Sequence, residues 1–173
     1  MSKRTRQYLG LLSAVIAYYM IHEGAHLIYS LCIGTFKQIR FMGIGIQIVT
    51  YSERMSSMQL GIFCAVGAVS TALAAYALTL FARRICGSGS RVFRACMYYI
   101  TLVMLLLDPL YLSVLCGLFG GGDMNGISLL VPELPARIFF GLLLIINSLL
   151  FWKVILPQYR RSFAEDDPAG GTK

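Results

Sequence analysis

Both histidines of this 173-residue chain fall in one five-residue stretch, His22-Glu23-Gly24-Ala25-His26. On a helix, residues four apart share a face, so the two imidazoles can point at one metal ion while Glu23 is turned about 100° away. That division of labour suits metal-assisted hydrolysis: two nitrogens ligate zinc at about 2.0–2.1 Å, and the glutamate takes a proton from the water that the metal activates. The stretch lies inside the apolar run from Tyr8 to Ile33. An ionisable side chain at bilayer depth costs roughly 2.5–3.5 kcal/mol to insert, so the cluster reads first as a functional site.

A hydrolytic centre of this kind needs a third ligand and an open coordination position. Of the eight acids, Glu23 is the expected base, Glu53 stands beside Arg54 in a loop, and Glu165, Asp166 and Asp167 belong to the C-terminal tail. Glu133, between Pro132 and Pro135, reads as a solvated carboxylate in a surface loop. Asp108 and Asp123 remain. Asp108 matches the depth of His22, roughly 20 Å from the basic edge of its span by helical rise. Its neighbour Pro109, however, makes it a natural cap for a second half-helix. Asp123 follows Gly120-Gly121-Gly122, which let the backbone fold back towards a metal, and it is preferred over Asp108. Asn125 is a candidate oxyanion donor, although a turn role suits it better.

The elements that must position these residues are membrane-spanning helices. The chain is 57% hydrophobic and only 13% charged, which excludes an ordinary water-soluble globule. A helix needs about 20 mostly apolar residues to cross the hydrocarbon core. Four runs qualify: Tyr8 to Ile33, Leu60 to Ala82, Ala95 to Phe119 and Ala136 to Leu156. The first is longer than a signal-peptide core and has no small-x-small cleavage site before the histidines, so it is expected to persist. Between the first two runs, Phe36 to Val49 alternates β-branched and aromatic residues with polar ones, the pattern of strands packed against the helices near the histidines. The second run is rich in small residues and reads as an inner helix. The expected fold is an all-α polytopic membrane domain over residues 1–164, with a short intramembrane or interfacial β segment and a disordered polar tail over 165–173.

The net charge of +7 does not mark a nucleic-acid surface, because the basic residues sit at span ends without an aromatic and basic groove. Eleven of the 15 lie before the first run, between the second and third, or at the C-terminal end of the fourth and beyond it; only Lys37, Arg40, Arg54 and Arg137 lie on the other side. The positive-inside rule therefore places both termini in the cytoplasm. The five cysteines form no C-x-x-C pair and read as small buried hydrophobes.

Three pieces resemble the site-2 protease family of membrane-embedded zinc metalloproteases: His22-Glu23-Gly24-Ala25-His26 near the N-terminus, Cys32-Ile33-Gly34 leading into Phe36 to Gly45, and the glycine-flanked Asp123. The middle piece is similar to that family's intramembrane β segment. The family's Asn-x-x-Pro-x-x-x-Leu-Asp-Gly pattern is absent, and the loops have no room for an inserted regulatory domain. The charge count puts the loop after the first run outside, whereas well-known bacterial members have it facing the cytoplasm. The resemblance implies a multi-pass protein of a prokaryotic plasma membrane that hydrolyses peptide bonds of membrane-spanning protein substrates, with Zn2+ on His22, His26 and Asp123 and with Glu23 as base. The alternative from another class is a non-catalytic metal-binding or cation-transport protein. Against it, polar groups such as Ser13, Ser70, Thr71, Thr101 and Asn147 are too isolated along the spans to mark a route.

Overall fold

A computed structural model describes residues 1–43, 45–118 and 120–164; the expected disordered tail, 165–173, lies outside the described residues. Four helical segments are long and apolar enough to cross a membrane: Lys3–Cys32, Ser57–Leu80, Arg91–Leu115 and Glu133–Ala164. They correspond to the four apolar runs of the sequence. The first is α1. Ser2 caps it by accepting from the Thr5 N–H at 3.1 Å, a contact of about 1 kcal/mol in most proteins. Strands β1 (Phe36–Met42) and β2 (Gly45–Thr50) then form an antiparallel hairpin, with Met42 paired to Gly45 and Gly43 at φ 61° in the turn. β1 is exposed along most of its length, while Ile48 of β2 is buried and β2 packs on α1.

Helix α2 (Ser57–Leu80) begins with a capping box between Ser56 and Gln59. It has the largest buried share of the four spans, 39% of its most apolar window, which makes it the inner helix. Its small residues Gly61, Gly67, Ala68, Thr71 and Ala75 are buried, as close packing between apolar helices requires. A short α3 (Ala82–Cys86) leads to α4 (Arg91–Leu110), capped by Ser90 and continued by a π-helical turn, Tyr111–Leu115. After the glycine run come α5 (Asp123–Ile127) and α6 (Glu133–Leu150), a second π-helical turn, Phe151–Ile155, and α7 (Leu156–Ala164). α1, α2 and α4 pack on one another, α5 lies on α2 and α6 lies on α4.

The expected break at Asp108-Pro109 does not occur, and α4 runs straight through it. Pro109 cannot donate to the carbonyl of Leu105, four residues back. Asn147 of α6 repairs the gap: its Nδ2 donates to Leu105 O at 2.8 Å, and its Oδ1 accepts from the Tyr76 hydroxyl at 2.8 Å. Asp108 is therefore not a cap. Glu133 is likewise not in a loop but opens α6, with its exposed carboxylate 3.3 Å from Arg137 Nη1 one turn on. The cysteines are all free thiols; Cys64 and Cys116 are buried as expected, whereas Cys32 is exposed and Cys86 and Cys96 are half-buried. The apolar core has two parts. One gathers Ile48, Phe63, Ala68, Leu112 and Met124 around the histidine end, and the other gathers Ala75, Met104, Leu105, Phe151 and Tyr159 towards the termini.

Candidate metal centre

Helical spacing places Tyr18, His22 and His26 in one row of α1, and the tertiary packing closes over it. His22 and His26 are only 7% and 3% exposed. Tyr18 stacks on His22, with ring centres 5.1 Å apart, and the two imidazoles meet edge to face at 4.9 Å. Opposite them on α2 stands Gly67. A methyl group there would lie 2.6 Å from His26 Nε2 and 2.7 Å from His22 Nε2, so this position must be glycine for the two rings to fit. The small-residue stripe of α2 thus has a local reason as well as a packing one.

Both Nε2 atoms converge on one carboxylate oxygen. Asp123 Oδ2 lies 3.1 Å from His22 Nε2 and 3.5 Å from His26 Nε2. The chain reaches this point through Gly120, Gly121 and Gly122, whose φ values of 77°, 87° and 49° side chains with a Cβ rarely adopt. A quarter of the Asp123 side chain remains exposed, leaving an approach to the centre. Asn125 is spent on the turn: its Nδ2 donates to Gly120 O at 3.0 Å, so it does not face the histidines as an oxyanion donor.

The Nδ1 atoms face the other way, and only that of His26 is hydrogen-bonded. His26 Nδ1 is 2.7 Å from the carbonyl oxygen of Phe63. A nitrogen so placed carries the proton, and a neutral ring then presents a bare Nε2. His22 Nδ1 is 3.4 Å from Asp108 Oδ1. Asp108 is buried, and its two oxygens accept from the hydroxyls of Tyr18 and Thr71. The two aspartates left open by the sequence therefore differ in side: Asp123 shares the Nε2 face of the histidine pair, and Asp108 backs His22. Metal-binding histidines almost always have such a carboxylate or carbonyl behind the second nitrogen, which fixes the tautomer and ring orientation.

Glu23 is half-buried, and its Oε2 accepts from the Ile48 N–H of β2 at 3.2 Å. His22, Glu23 and His26 each offer a ligand-type atom within 4.8 Å of the other two. Two imidazoles and a carboxylate on one side, with a second carboxylate close by, make a donor set that fits a tetrahedral cation such as zinc with a position to spare. The sequence alone did not expose the supporting residues. Tyr18 carried a signal, since it is one turn before His22; Gly67, Thr71 and the Phe63 carbonyl did not, because only the packing of α2 on α1 brings them there. No protein-family model, curated protein or solved structure matches this chain.

Proposed function

We propose that this chain is a membrane-embedded zinc endopeptidase that cuts membrane-spanning or membrane-associated protein segments, as its resemblance to the site-2 protease family implies. The observation that carries this reading is the convergence of both Nε2 atoms on Asp123, while His26 Nδ1 is held by the Phe63 carbonyl and His22 Nδ1 lies 3.4 Å from Asp108. His22, His26 and Asp123 would hold the metal. Bound zinc would supply a Lewis acid that makes water nucleophilic near neutral pH. Glu23 Oε accepts the proton of the attacking water and passes it to the departing amine nitrogen. The Ile48 N–H holds the glutamate in place, and burial of both rings keeps bulk water from competing.

A helical substrate shields its scissile carbonyl inside backbone hydrogen bonds, so it must unwind before attack. The hairpin beside Glu23 suits this step, because an extended substrate can add to its edge as a further strand. On this reading the four helices cross a plasma membrane with both termini in the cytoplasm, from the distribution of basic residues.

The deciding experiment compares wild type and Glu23→Gln in proteoliposomes carrying fluorogenic single-span peptides. The variant should retain its zinc and lose cleavage by at least 100-fold, on the order of what a general base contributes. Cleavage at the wild-type rate by the zinc-loaded variant overturns the mechanism, and vesicle uptake of the metal with no cleavage by wild type favours a transporter.

A further inference from the structure

Tyr111 opens the π-helical turn that continues α4, one turn beyond Asp108 and so on the face that Asp108 turns to His22. Its carbonyl accepts from the Cys116 N–H, five residues on, at 2.7 Å. Single π-helical turns of this kind occur frequently at functional sites. The ring packs on the part of the core at the histidine end. Its hydroxyl reaches the glycine arm, since a methyl group at Gly122 would collide with it, and it therefore lies against the residue just before Asp123. Tyr111 and Asp123 are both partly exposed, so the phenol borders the approach to the centre. Other hydrogen-bond donors nearby are already engaged: the Tyr18 and Thr71 hydroxyls donate to Asp108, and Asn125 donates to Gly120 O. The Tyr111 hydroxyl has no hydrogen-bond partner among the described residues and is not sealed inside the fold.

Peptide hydrolysis has a use for a donor in this place. When the water oxygen bonds to the scissile carbonyl carbon, the π pair moves onto the carbonyl oxygen, which becomes an oxyanion. A donor that meets this charge as it develops, and is not committed elsewhere beforehand, favours the transition state over the bound substrate. Resting on the peptidase reading above, we propose that Tyr111 is the oxyanion donor of this centre, its hydroxyl giving a hydrogen bond to the former carbonyl oxygen of the substrate. No proton changes hands at Tyr111. The carbonyl then re-forms as the C–N bond breaks, and the amine nitrogen takes the proton held by Glu23. Gly122 acquires a second reason to be glycine: beyond its φ of 49°, a side chain there would push the phenol away from the carboxylate arm.

The test compares wild type with Tyr111→Phe, each as the full zinc-loaded chain in proteoliposomes with a fluorogenic single-span peptide. The variant keeps the ring and loses only the donor, so its zinc content and melting temperature should equal those of wild type. Its kcat should fall on the order of 100-fold, the usual loss for one oxyanion donor, with KM unchanged. A phosphinate analogue of the same peptide, with tetrahedral oxygens at the scissile position, should bind the variant about 100-fold more weakly than it binds wild type. The intact peptide should bind Glu23→Gln and Glu23→Gln/Tyr111→Phe alike, and calorimetry in detergent reads both affinities. A wild-type kcat or a wild-type phosphinate affinity in Tyr111→Phe overturns the role. Equal weakening of peptide and phosphinate also overturns it, by making the phenol part of ordinary substrate binding, and so does a fall in zinc content, by making it a support for the Asp123 arm. Those results leave the peptidase reading standing, whereas an absence of cleavage by wild type overturns both.

Discussion

Asp108 shows how much one side chain's direction matters. From the sequence, Asp108 and Asp123 were two acids at credible depth, and nothing in their order along the chain says which imidazole nitrogen each would meet. The fold separates them, with Asp123 on the Nε2 side and Asp108 on the Nδ1 side of His22. Their substitutions should therefore differ. Asp108→Asn keeps an oxygen that can accept from Nδ1, so zinc affinity should fall less than about tenfold. Asp108→Leu removes that acceptor and the partner of the Tyr18 hydroxyl, and affinity should fall about 10- to 100-fold, the usual range for loss of a ligand's outer partner. Asp123→Asn, which weakens the shared oxygen itself, should lose more than either. Competition with a fluorescent chelator measures all three, and an Asp108→Leu chain that binds zinc like wild type removes Asp108 from the centre. By contrast, His22, Glu23 and His26 were legible from spacing alone, because a helix converts intervals of four into a shared face without help from the rest of the fold.

Among the elements, the four long helices and the hairpin follow from hydropathy and alternation, and they lie where those patterns place them. The failure at Asp108-Pro109 is instructive for the same reason. Proline breaks a helix when the carbonyl it orphans has nowhere to go, and that is a local argument. Here the missing donor comes from Asn147, 42 residues beyond Leu105, on a helix whose packing no local pattern reveals. Asn147 is 1% exposed and joins Leu105 of α4 to Tyr76 of α2 through α6. Asn147→Leu should leave a carbonyl and a hydroxyl unsatisfied and destabilise the chain by about 1–3 kcal/mol. Unfolding in mixed micelles reads this loss. A stability equal to wild type would mean that α4 tolerates its proline without α6. The glycine turn before Asp123 belongs to the same scale: the sequence announced irregular backbone, and three positive φ values make it the arm that carries the third carboxylate to the histidines.

For the whole molecule, the basic residues and the hairpin make opposite demands. The resemblance to membrane proteases implies a hairpin on the cytoplasmic side, whereas eleven cations against four imply that the hairpin lies outside and the termini inside. Positive charge in short loops governs orientation through insertion itself, before any fold exists, so the count is the stronger physical warrant. Single cysteines introduced into a cysteine-free chain distinguish the two orientations. Ser52→Cys, in the turn after β2, should react with a membrane-impermeant maleimide added to intact cells. Ser88→Cys, between α3 and α4, should react only after the membrane is opened. The reverse pattern would place the hairpin inside and reject the charge count for this chain.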